Sequence, residues 1–172
     1  MGDYAGNYNR VMLALRSAYL LALVIWLGGI VVLGALVAPT TFGVLGAMLP
    51  EGRALAAEVF GVTVARFHYI EFGAGAVLLV SLAAMRLLGP RPAHFAVRVG
   101  IVSVMLGVAL YSGLAVVGAL ETLQADIGML PSLLPEADPR RVEFDALHRL
   151  SERLMLVDLA GALALLYWEA RE

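Results

Sequence analysis

The sequence predicts an all-α polytopic membrane protein, a single domain over residues 1–172 built as an antiparallel four-helix transmembrane bundle. Composition is the first reason. Hydrophobic residues make up 61% of the chain and charged residues 15%, with a mean hydropathy of +0.86, whereas about a quarter of a soluble domain is charged. The second is a set of apolar blocks at about 17–38, 69–88, 97–120 and 144–168, each long enough to cross roughly 30 Å of hydrocarbon as a helix. The third is a polar line on the last block, where Phe144, His148, Ser151, Met155 and Asp158 recur at steps of four and three and so share one face. An ionisable group inside a bilayer costs roughly 2.5–3.5 kcal/mol on insertion scales and normally faces other helices or a cavity. Asp158 therefore calls for neighbours inside a bundle.

The first block, Ser17–Ala38, follows Arg10 and Arg16 and carries no charge. It exceeds the apolar core of a cleaved signal peptide, so it is read as a retained span. Pro39, Gly43, Gly46, Pro50 and Gly52 then predict a break in the helix. From Glu51 the pattern turns helical again, with Leu55, Val59, Val62 and Arg66 spaced by fours and threes. That piece is expected to extend the second span outward, with a bend at Gly61. The run Gly89-Pro90-Arg91-Pro92 predicts a tight turn that makes the second and third spans antiparallel neighbours. After the third block, the proline-containing stretch 121–138 leads to Asp138-Pro139, an N-cap followed by proline in the first helical position. One helix is expected from Pro139 to Arg171.

Four spans place both termini on one side. Arginines divide six against six between the two faces, so the positive-inside rule does not choose an orientation. The acid-free loop 89–96 points to cytoplasmic termini, and the expected location is a bacterial inner membrane. Arg66, Arg86 and Arg98 read as snorkelling side chains.

Several function classes are excluded. Every basic residue other than histidine is arginine, so lysine Schiff-base chemistry is absent, and no basic stripe marks a nucleic-acid surface. Without cysteine there is no disulfide, thiolate metal site, iron–sulfur cluster or covalently attached haem. Ser151 beside His148 lacks any nucleophile elbow or oxyanion hole. The chain is not expected to be an enzyme.

The second span opens with His68 and Glu71, three residues apart on one face, and the fourth with His148 and Ser151, placed at similar depth if both helices start from the long-loop side. These residues suit a divalent metal held by His68, Glu71 and His148. Two histidines at matched depth also suit haem b. Glu71 and Asp158 suit a proton or ion path. Against these stands interhelical glue, in which the polar stripe only hydrogen-bonds across helices. Arg141, Asp145, Arg149 and Glu152 read as a salt-bridged, water-facing side of the last helix. The scattered methionines and Trp26 read as packing groups. The leading expectation is an interaction or accessory subunit with no cofactor, embedded in the lipid bilayer beside other membrane-protein subunits or a second copy.

Trp26-Leu27-Gly28-Gly29, Ala38-Pro39-Thr40-Thr41-Phe42 and the segment from Phe144 to Ser151 (FDALHRLS) form a pattern of their own. It resembles the small four-span membrane family, a domain of unknown function, that is related to eukaryotic transmembrane protein 205. More distantly it is similar to copper-resistance membrane proteins of the D type. The resemblance implies a four-helix integral membrane protein, in a family whose eukaryotic members are linked to drug or metal-compound resistance. Met155 stands where that family often has asparagine. The resemblance assigns no binding residue.

Overall fold

The computed structural model describes residues 2–89 and 92–171, so the central Pro90-Arg91 of the expected turn lies outside the described residues. Six α-helices follow in chain order: α1 (Gly2–Val32), α2 (Ala38–Met48), α3 (Gly52–Leu88), α4 (Phe95–Tyr111), α5 (Val117–Ile127) and α6 (Pro139–Glu169). Two π-helical turns, Leu33–Val37 and Ser112–Val116, join α1 to α2 and α4 to α5 without a break. The described residues contain no strand.

The expected break at Pro39 does not occur, and the π turn supplies the reason. Proline withholds one backbone N–H from the helix ladder. The wider turn before it shifts the bonding register, with Ala38 N–H donating to the Leu33 carbonyl five residues back. Pro39 then sits at the start of α2, where its missing donor costs little. The chain does leave the helix at Leu49, which adopts extended angles (φ −133°, ψ 142°) because proline at position 50 disfavours a helical predecessor. Helix α3 bears out the outward extension and runs uninterrupted through Gly61. Helix α5 stops at Gly128, a left-handed C-cap (φ 66°). Asp138 caps α6 by accepting from the Arg140 N–H at 2.9 Å. The Arg140 side chain bonds the same carboxylate, and these contacts hold Asp138 below the usual carboxylate range.

Three stretches, Gly6–Met48, Gly52–Leu88 and Phe95–Ile127, are long and apolar enough to cross a membrane. Their outward faces carry large apolar side chains such as Leu21, Val80 and Leu114, as lipid contact requires. The chain is thus an all-helical integral membrane protein. Helix α6 is equally regular but more polar in its first half.

Between the helices lie Leu23, Trp26, Leu78, Leu82, Val102, Met105, Ala162 and Leu165, all almost fully buried. Lipid tails are as apolar as these groups, so close packing rather than water exclusion must hold the helices together. Glycine permits that approach. A Cβ on Gly75 would lie 2.8 Å from Leu106 and 3.0 Å from Trp26, and one on Gly161 would lie 2.7 Å from Met105. Gly89 lies against Tyr8 and Met12, and Gly29 against Phe67, so α1 and α3 run in opposite directions.

At the end where α1 and α4 begin, Glu169 on α6 accepts from Arg98 Nη1 at 2.7 Å and from Arg16 Nε at 3.0 Å. The expected snorkelling of Arg98 is corrected here: its side chain is 2% exposed. A guanidinium matched to a carboxylate inside the bundle has less reason to reach for headgroups. Arg86 instead lies over the Phe95 ring, 5.0 Å from its centroid.

Candidate functional site: a buried carboxylate–imidazole cluster

Halfway along the bundle, three helical segments bring polar groups together. His68 and Glu71 lie on one face of α3, as their spacing predicts. His68 Nδ1 lies 2.6 Å from Glu71 Oε2. The carboxylate accepts, which assigns the N–H to Nδ1. The opposite nitrogen, Nε2, lies 3.4 Å from Ser112 Oγ, the first residue of the second π turn. That turn re-aims the chain, with Val117 N–H donating to the Ser112 carbonyl five residues back. Its next residue, Gly113, leaves room for the imidazole, since a Cβ there would fall 2.9 Å from His68 Cγ. Phe72 stacks on the ring, with centroids 6.2 Å apart, and also lies against Gly113.

Helix α6 contributes Asp158, which is 3% exposed, as is Glu71. Asp158 and Glu71 interact electrostatically through the protein interior. Asp158 Oδ1 is buried and has no hydrogen-bond partner among the described residues. Trp26 Nε1 is likewise buried without one, and its ring packs beside Gly75, one turn along α3 from Glu71. Two carboxylates, one imidazole and one hydroxyl are thus buried in the helix bundle. Such burial strengthens every charge interaction among them.

The structure separates the other sequence-predicted groups from this cluster. His148 is more than half exposed, stacks on Phe144 and lies 3.4 Å from Glu152. With Ser151 it lines a cavity of about 400 Å³ whose other walls include Leu120 and Glu121 of α5. Ser112 and Leu120 are eight residues apart, roughly 12 Å of helical rise, so His68 and His148 do not share a depth. Among the described residues, no group of three His, Cys, Asp or Glu side chains is placed to hold a metal ion. The candidate set His68, Glu71 and His148 is therefore not assembled. Of the two histidines considered for haem, His148 lines that cavity, whereas His68 is buried beside Glu71 and Ser112 and does not line it. Along the outer face of α6, Arg141 donates to the Leu134 carbonyl at 2.6 Å, and Glu152 faces His148. The expected ladder of Arg141, Asp145, Arg149 and Glu152 is not what these groups build.

Two buried polar groups of the bundle, one in the cluster and one beyond it, were missed from the sequence. Ser112 gave a faint signal as one of three hydroxyls, with Ser103 and Tyr111, in an apolar block. Glu169 gave a better one: it lies eleven residues beyond Asp158, three full turns, hence on the same face. The buried residues of α6 are Asp158, Ala162, Leu165 and Glu169. The polar stripe thus continues past Asp158 to the end of the helix. Comparison with protein-family models, curated proteins and solved structures finds no match to the chain.

Proposed function

We propose that this chain is a four-span protein of the bacterial cytoplasmic membrane, its termini on the cytoplasmic side, and that it handles a proton at the His68–Glu71–Ser112–Asp158 cluster. The fourth span is supported by where α6 is anchored. Glu169 meets Arg98 at the start of α4, while Ser151 shares a cavity with Leu120 and Glu121 of α5. The distance between these anchors is eighteen residues of α6, roughly 27 Å of rise, close to the thickness of the hydrocarbon layer. Helix α6 therefore runs beside a segment that is itself long and apolar enough to cross.

One observation carries the functional reading: the partnerless Oδ1 of buried Asp158, within electrostatic reach of Glu71. Interhelical glue works by satisfying polar atoms, because each one left unmade costs about 1–3 kcal/mol. Glue accounts for His68, Glu71 and Ser112. It leaves the Asp158 oxygen unexplained. A site that takes up and releases a proton needs such an acceptor, held by fixed neighbours and shielded from lipid. The accessory-subunit reading and the relationship to the family of transmembrane protein 205 predict no such acceptor.

The test is infrared difference spectroscopy of the full chain in lipid bilayers, stepped between acidic and alkaline buffer. A carboxyl C=O band that responds to the step and vanishes in Asp158→Asn, with its position altered in Glu71→Gln, is the expected result. A spectrum without a pH-responsive carboxyl band, or with one that survives in Asp158→Asn, overturns the proposal. Co-purification of a stoichiometric partner alongside that negative result would return the chain to the accessory class.

A further inference from the structure

A second feature lies outside the polar cluster. The cavity of about 400 Å³ that contains His148 and Ser151 is walled by α2, α3, α5 and α6. Its interior is aromatic and aliphatic, with Phe42, Phe60 and Phe144 from three different helices. Its charged lining is one-sided. Glu58 and Glu121 face it, and Glu58 also lines an adjoining cavity of about 540 Å³ together with Glu51. No arginine lines either cavity, although twelve arginines are present in the chain. His148, the one basic side chain in the lining, is matched by Glu152. From Arg98 to Leu120 the α4–α5 helix rises by roughly 33 Å, so the groove opens at the membrane surface opposite the Arg98–Glu169 pair.

We propose that this groove binds an amphipathic organic cation, with its apolar body against the phenylalanines and its positive centre against Glu58 and Glu121. Three properties agree on that class of ligand. The volume lies in the range of pockets that enclose a drug-sized molecule, about 300–1,000 Å³. The aromatic faces favour a cation over a neutral or anionic body. The carboxylates supply charge complementarity at the depth where an amphipathic cation already concentrates from water. A soluble cation, rather than a bilayer lipid, is the occupant because a cavity of about 400 Å³ suits a compact, drug-sized body.

The experiment uses the full chain in lipid nanodiscs and two probes of the same shape and opposite charge, tetraphenylphosphonium and tetraphenylborate, with empty discs as background. Saturable binding is expected for the phosphonium alone. In the Glu58→Gln/Glu121→Gln double variant, affinity should fall at least tenfold. Gly61→Leu provides the independent check. Gly61 lines the groove, and a Cβ there meets nothing within 4 Å, so a larger side chain starts into open space on the groove side. It should abolish binding while leaving thermal unfolding unchanged. Equal saturable binding of both probes, or undiminished binding in the double variant or in Gly61→Leu, overturns the proposal. So does loss of phosphonium binding when phosphatidylethanolamine is included in the discs, which would assign the groove to a lipid ammonium group. None of these variants alters the Asp158 cluster, so failure here and failure of the proton-site reading are separately visible.

Discussion

At the scale of single residues, the two carboxylates of the buried cluster have opposite energetic characters. Glu71 is engaged, holding the His68 imidazole at 2.6 Å. Asp158 leaves one oxygen unmatched and interacts with Glu71 across the interior. Removing a partner from a buried hydrogen bond strands the other group, at about 1–3 kcal/mol. Glu71→Ala is therefore expected to destabilise the protein by about that amount. Asp158→Asn removes no satisfied bond from Oδ1, so its stability should stay within about 1 kcal/mol of the parent. Thermal unfolding of both variants in one detergent checks the pair. A large loss in Asp158→Asn would mean that the carboxylate is structural and not reserved for a ligand.

At the scale of elements, the π turns and the ion cluster do what helix propensity alone does not. The first π turn carries the chain through Pro39 as continuous helix, and the second places Ser112 and Gly113 beside His68. The Arg16–Glu169–Arg98 cluster ties α6 to α1 and α4. Breaking a buried ion pair from one side typically costs about 3–5 kcal/mol, whereas replacing both partners by apolar groups of similar volume is often close to neutral. Arg98→Ala should therefore lower stability by about 3 kcal/mol, and Arg98→Met combined with Glu169→Leu should recover most of that loss. Denaturation midpoints of the single and double variants decide it. An additive double variant would show that Arg98 contributes through packing alone.

At the scale of the whole molecule, the proposed crossing by α6 predicts which surfaces share a side of the membrane. The chain has no cysteine, so single cysteines report without background. Gly6→Cys and Arg171→Cys should react with an impermeant maleimide from the same side, and Met129→Cys from the other. If α6 lay on the surface instead of crossing, Arg171→Cys and Met129→Cys would be labelled together.

How much of this was legible in the sequence varies with the range of the interaction. The apolar blocks, the outward extension of α3, the Asp138 cap and the pairing of His68 with Glu71 depend on neighbours within about one helical turn or on bulk hydropathy. Composition and spacing report those directly. The continuity through Pro39 was not legible, because a π turn is a local rearrangement that the packed helices permit and no residue type announces. The split between His148 and the buried cluster was not legible either. Residues on one stripe of α6 share a face, but the neighbour each one meets depends on how α3 and α5 lie along that face. By itself the sequence determined a helical membrane protein with an acid it had to shelter, since hydrocarbon admits neither open backbone nor an unaccompanied charge. Only the tertiary structure decided that Asp158 is buried without a hydrogen-bond partner for Oδ1 while His148 turns to a separate groove, because contacts between distant segments follow from helix register and close approach at glycines rather than from periodicity.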